Sequence, residues 1–253
     1  VAGDVDPQQV LALAQKTYGA IPARALPARK PRTEPEQKGL RRIDFKAPAE
    51  QAYVALAFHV PGVERIEDMQ DGDRDGLALM VLSAVLSGYD GARLERALTQ
   101  GAERVADSAD SHASVFGRGP ALFMLTGVPA AGKTAAQVET ALRAQLERVA
   151  REGVSEAELS RVKTQWAAFT IYARDSLYSQ ASDLGSNWVQ GLPLDADERL
   201  LRLLRAVTPE QVQAVAARYF GDDQLTVATL LPQPLAAGAK RAAPKPADGT
   251  RMH

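Results

Sequence analysis

Gly76-Leu77-Ala78-Leu79-Met80-Val81-Leu82-Ser83-Ala84-Val85-Leu86-Ser87-Gly88 is a nearly continuous apolar run set between two glycines. Leu, Ala and Met are strong helix formers, and the stretch from Leu77 to Leu86 is too long for a typical strand, so it reads as a buried helix. The acidic, glycine-containing stretch from Glu64 to Gly76 reads as the loop that delivers the chain to it. Upstream, Ile43 and Phe45, and then Tyr53-Val54-Ala55-Leu56-Ala57-Phe58, are β-type runs closed by Pro61-Gly62. Downstream, a short helix at Arg93 to Thr99 leads to strands at Arg104 to Ser111 and Ala121 to Thr126. The segment from Leu40 to Thr126 is therefore a β-β-α-α-β-β unit.

Beyond Thr134, Val138, Leu142, Leu146 and Val149 recur at three- and four-residue steps until Gly153, which predicts an amphipathic helix. Ser155 with Glu158 three residues on is a capping box, so a second helix starts there. Further helices are predicted at Ser179 to Gln190, Ala196 to Arg205 and Thr208 to Phe220, the last opened by a Thr-Pro cap. Leu225 to Leu231 is a closing strand. At the start, Val1-Ala2-Gly3-Asp4-Val5 reads as the end of a strand and Asp6-Pro7 as the cap of a helix reaching Tyr18-Gly19. Ile21 to Gly39, with four prolines and no apolar periodicity, reads as a connector. From Pro232 to His253 the chain is rich in Ala, Pro, Gly and Lys, a composition that predicts disorder.

Composition narrows the function classes. The 253 residues are 45% hydrophobic, enough for a sizeable core, and 30 Lys+Arg against 31 Asp+Glu leave a net charge of -1. No overall field attracts nucleic acid or an anionic membrane. The absence of cysteine removes thiol catalysis, thiolate zinc sites and disulfides. No apolar run reaches the ~18 residues of a membrane span. The start carries neither Met nor a signal-peptide pattern, and the chain reads as a piece of a longer one.

The Gly76–Gly88 helix is similar to the zinc helix of the insulinase/pitrilysin and mitochondrial processing peptidase family, which reads Gly-Leu-Ala-His-Leu-Leu-Glu-His-Met-Leu-Phe-Lys-Gly. With the glycines aligned, the two zinc histidines fall on Leu79 and Ser83 and the general-base glutamate on Leu82. Histidines four apart share one helix face and can bind zinc, whose water the glutamate activates. Leucine can do neither. The family's third ligand maps near Ser155 to Lys163, where Glu156 and Glu158 stand without histidine partners and read as capping and surface charge. The Gly-Asp-Val start, the Asp-Pro helix, the connector, the element order and Gly153-Val154-Ser155-Glu156-Ala157-Glu158-Leu159 extend the resemblance over most of the chain.

Several rivals compete for the chemistry. Gly127-Val128-Pro129-Ala130-Ala131-Gly132-Lys133-Thr134 fits the phosphate-loop pattern between a predicted strand and helix, with Lys133 for the phosphates and Thr134 for magnesium. The same residues make a turn with Thr134 as helix N-cap, and no strand ending in a metal-binding aspartate accompanies them. His59, His112 and His253 lack ligand spacing, and no Gly-x-Ser-x-Gly elbow is present. Trp166, Phe169 and Tyr172 read as a core stripe. Arg143, Arg148, Arg151 and Arg161, interleaved with Glu139, Glu147, Glu152, Glu156 and Glu158, read as a solvated face.

The resemblance implies an α+β domain, a mostly antiparallel sheet with helices on one face, in the two-layer fold of LuxS and the processing peptidases. It implies residues 1–26 as the end of an upstream peptidase domain, 27–39 as linker, 40–232 as an inactive peptidase-like domain and 233–253 as a disordered tail. It also implies that this chain holds no cofactor. Zinc is expected in a partner domain of the same parent chain or a partner subunit, across a peptide-binding chamber, with no nucleic acid bound and no membrane span. Arg118 is the candidate for holding the substrate backbone, as an arginine does in the family's non-zinc domain. A parent protein that has wholly lost catalysis is the structural alternative. A periplasmic home is expected, with the cytoplasm also compatible.

Overall fold

Period-two burial along Tyr53–Val60 and Ala121–Pro129 produces the sheet around which the rest of the chain is laid. The computed structural model describes residues 1–25, 35–117 and 119–234. In chain order its elements are α1 (Pro7–Thr17), β1 (Arg41–Pro48), β2 (Tyr53–Val60), α2 (Asp71–Ser87), β3 (Ala106–Ser114), β4 (Ala121–Pro129) and α3 (Ala135–Glu152). They continue as α4 (Glu156–Ala173), α5 (Leu177–Gln190), α6 (Ala196–Ala206), α7 (Pro209–Arg218) and β5 (Leu225–Gln233). A π-helical turn at Glu95–Thr99 and a 3-10 turn at Asp222–Gln224 complete them.

The strand order is β1-β5-β2-β4-β3. Among the described residues only the β1–β5 pair is parallel. Val54, Leu56 and Phe58 of β2, Phe123 and Leu125 of β4, and Leu225 and Val227 of β5 point to one face and are almost completely buried. On that face α2 packs along β3, α3 lies over β4 and β2, and α7 joins α2 to α3. Phe220 closes the layer edge-on, its ring 4.9 Å from both Phe58 and Phe123. Each large side chain buried this way contributes about 1.5–3 kcal/mol, so the sheet–helix seam dominates stability. Helices α4 and α6 lie behind α2. This is the expected α+β two-layer arrangement.

Two glycines mark where the layers approach most closely. A Cβ at Gly127 would stand 2.6 Å from Val138 Cγ1, so α3 can lie on β4 only if that position has no side chain. A Cβ at Gly76 would meet Val63 Cγ2 at 2.7 Å, which fixes α2 against the loop that follows β2.

Several expectations need correction. Helix α2 begins at Asp71, so the last part of the expected acidic loop is helical. The cause is Asp73, which bends back to accept from the N–H groups of Gln70, Glu64 and Arg65. Val1–Val5 forms no strand, since none of the described strands pairs with it. Pro232 and Gln233, expected in the tail, belong to β5, where they lie opposite Ala47 and Pro48. A proline fits there because β2 has already ended opposite Leu230. The remaining tail residues, 235–253, and most of the linker, 26–34, lie outside the described residues.

The aromatic stripe also departs from expectation. Trp166 packs against the core, but Phe169 and Tyr172 are 74% and 73% exposed. They sit on the last turns of α4, which run past the layer that covers Leu159 and Val162. Glu139, expected on a solvated face, is buried and takes a bidentate pair from Arg42 of β1 at 2.7 and 2.8 Å. That pair ties the edge strand to α3.

Candidate functional site

The face of α2 that would carry metal chemistry begins with the packing of Leu79 and Leu82, both fully buried. Neither side chain reaches solvent, and neither can hold zinc or take a proton. Ser83, the third of these positions, is half-buried one turn after Leu79. It faces β3, where Ser83 Oγ lies 3.2 Å from Ser111 Oγ and the Ser83 carbonyl accepts from Ser111 Oγ at 2.8 Å. Ser87, one further turn on, completes the cluster. Its Oγ is 2.9 Å from Ser111 Oγ and accepts the Ser111 N–H at 2.9 Å.

This serine cluster escaped the sequence reading. Its signal is visible only after the fact: Ser83 and Ser87 are four apart on one helix face, and Ser111 alternates with Ala109 and Ala113 on the inner side of β3. What the cluster does chemically is modest. The three hydroxyls, hydrogen-bonded to one another and to the backbone, bind helix to strand.

The α4 end of the site is ionic. Ser155 caps α4, with Glu158 returning to the Ser155 N–H at 3.0 Å. Glu158 also takes a bidentate pair from Arg93 Nε and Nη2 at 2.7 and 2.8 Å, and Arg93 donates to the Gly153 carbonyl. The Arg93 hydrogen bonds lead the effect that lowers the Glu158 pKa to about 2; burial opposes it and Ser155 adds to it. This carboxylate is fully engaged as an anion and is not a proton donor at neutral pH. Glu156 stays exposed. Asp73 is a second depressed carboxyl: burial pushes its pKa up, and three backbone N–H bonds more than reverse that.

The two described histidines lie on different strands. His59 lies at the end of β2 opposite Leu122, and His112 lies on β3 opposite Met124. Among the described residues no three His, Cys, Asp or Glu side chains come together as a metal site. His253 and Arg118 lie outside the described residues.

The Gly127–Thr134 segment is a strand end and helix cap in geometry. Gly127 sits within β4, paired with Val54 and Ala109. The Ala130 N–H donates to the Val105 carbonyl and the Lys133 N–H to the Ala130 carbonyl. Thr134 forms a reciprocal capping box with Gln137. These amides are engaged within the fold.

The peptidase M16 inactive domain model matches residues 1–166, and the chain belongs to this family. Its fold is similar to a protease from Helicobacter pylori, 24% identical with a TM-score of 0.78, over 91% of this chain and 54% of that one. It is also similar to a peptidase M16 inactive domain from Pseudomonas fluorescens, 21% identical, TM-score 0.67, over 92% and 54%. A third is the first half of the periplasmic protease PqqL from Escherichia coli, 17% identical, TM-score 0.71, over 93% and 52%. The chain thus spans about half the length of each of these structures. Among curated proteins none matches it. No described helix is long and apolar enough to cross a membrane.

Proposed function

We propose that this chain is the non-catalytic half of a zinc metallopeptidase and forms one wall of a peptide-binding chamber opposite a zinc-bearing domain. The observation that carries the reading is the burial of Leu79 and Leu82 and the hydrogen-bonded Ser83 on the helix that aligns with the family's zinc helix. Zinc, the attacking water and its base would all belong to the partner, in the same parent chain or in a second subunit.

The side of the sheet opposite α2 and α3 is the surface such a wall would offer. Phe45, Leu230 and Tyr53 stand in one cross-strand row there, and Phe45 is 65% exposed. Among the described residues no strand pairs with the outer side of β1, so an extended peptide could add to that edge. At β3, by contrast, the outward Ser111 N–H is already used by Ser87. Arg118 is kept as the candidate contact to a substrate backbone. The division at 26 and 39 is supported by α1, none of whose residues is buried. The periplasmic assignment of one structural relative supports an exported parent. A nucleotide site at Lys133 has weaker support, given the engaged amides; magnesium-dependent ATP binding lost in Lys133→Ala would favour it instead.

The test joins this chain to a zinc-bearing half. Cleavage of a quenched fluorescent peptide is expected only from the combination, with metal analysis finding zinc in the partner alone. One tightly bound zinc per copy of this chain by itself would overturn the reading. Arg118→Ala in the combination is expected to raise KM more than it lowers kcat.

A further inference from the structure

Helix α5 is amphipathic, yet Asn187 is its one buried residue. Leu177, Tyr178, Leu184, Trp188 and Val189 are 46–77% exposed. A helix of this length is marginal in water without a packed apolar face, so this surface calls for a cover. The apolar residues have a specific order. Leu177, Ala181, Leu184 and Trp188 follow one another at steps of 4, 3 and 4 residues, which makes a single stripe along the helix. That spacing reads the same in both directions.

The consequence is self-complementarity. When a second α5 lies antiparallel on the first, Leu177 meets Trp188 of the partner subunit and Ala181 meets Leu184 of the partner subunit. Each contact then recurs by symmetry, as an isologous interface requires. Small faces large at the centre, the arrangement that lets helices pack closely. Asp183 is the only charged residue of α5, and it falls outside the 177, 181, 184, 188 spacing, so the stripe itself carries no charge. Area agrees as well. Phe169, Tyr172, Leu177, Tyr178 and Trp188, at 65–77% exposure, offer on the order of 700 Å² of apolar surface at the α4–α5 corner. A standard interface buries about 800 Å² per partner.

We propose that α5 is the centre of a two-fold interface between two copies of this chain. The assignment rests on the stripe and its exposure, and stands apart from the chamber reading. The 253-residue chain is expected to run at twice its 27.1 kDa mass in light scattering at high protein concentration. Trp188→Glu should return it to the monomer mass and, at a dilution where the unaltered chain is also monomeric, match that chain's circular dichroism, because Trp188 is 74% exposed.

The absence of cysteine allows a positional check. Ala181→Cys, on the stripe, is expected to cross-link two chains with a short bismaleimide, whereas Ser182→Cys, turned away from it, is not. A chain that stays monomeric overturns the proposal and leaves α5 to a companion domain. So does a dimer that survives Trp188→Glu, or equal cross-linking at the two positions.

Discussion

Ser111 on β3 donates its backbone N–H to Ser87 Oγ on α2 at 2.9 Å, so the helix fills a hydrogen-bonding position on the sheet's own edge. An edge strand ordinarily leaves such groups to water or to another chain. Here α2 holds the strand instead.

Ser87→Ala removes the acceptor and leaves the Ser111 N–H to solvent. The expected cost is about 1 kcal/mol in urea unfolding, with faster amide exchange at Ser111 than at Ala106. Unaltered exchange at Ser111 would mean that something other than Ser87 protects it.

The Arg93–Glu158 pair sets an acid limit. Glu158 has a folded pKa of about 2, below the ~4.3 of an unfolded glutamate, so its contribution is complete above the unfolded value and is lost as pH falls toward 2. Asp73, also depressed, acts in the same direction. Unfolding free energy measured from pH 6 down to pH 2 should therefore fall, and Glu158→Gln should flatten part of that slope. An equal slope in the variant would count against the pair as its source.

Gly127→Ala should destabilise by about 1–3 kcal/mol, since its methyl group meets Val138 at 2.6 Å. Combining it with Val138→Ala should recover part of the loss, because the clash disappears even though a buried valine is trimmed. Strictly additive losses in the double variant would show that the contact is not the cause.

Rebuilding the zinc motif as Leu79→His, Leu82→Glu and Ser83→His is expected to cost stability without creating activity. Leu79 and Leu82 are fully buried, and a polar group placed there without partners costs on the order of 1–3 kcal/mol each. Peptide cleavage by the purified triple variant would contradict this.

Much of the fold was legible in local pattern. The Ser155 and Thr208 caps, the Val138–Val149 periodicity and the alternation in β2 and β4 each follow from short-range chemistry, and each element forms where that chemistry puts it. The start of α2 was missed because Asp71–Gly76 has poor helix propensity and depends on Asp73 capturing the distant Glu64 and Arg65 amides. Phe169 and Tyr172 were misplaced for a related reason. Spacing identifies a stripe on a helix, but whether a second layer lies over it depends on where the neighbouring helices end.

At Leu79, Leu82 and Ser83, residue type alone determined that these side chains supply neither an imidazole nor a carboxylate, because no packing makes leucine a ligand. Tertiary structure decided what stands in its place. It buried the two leucines between helix and sheet, and it brought Ser83 and Ser87 to Ser111, across 28 and 24 residues of chain. Local sequence cannot encode that meeting, since it exists only once β3 is in register with β4 and α2 is laid along it.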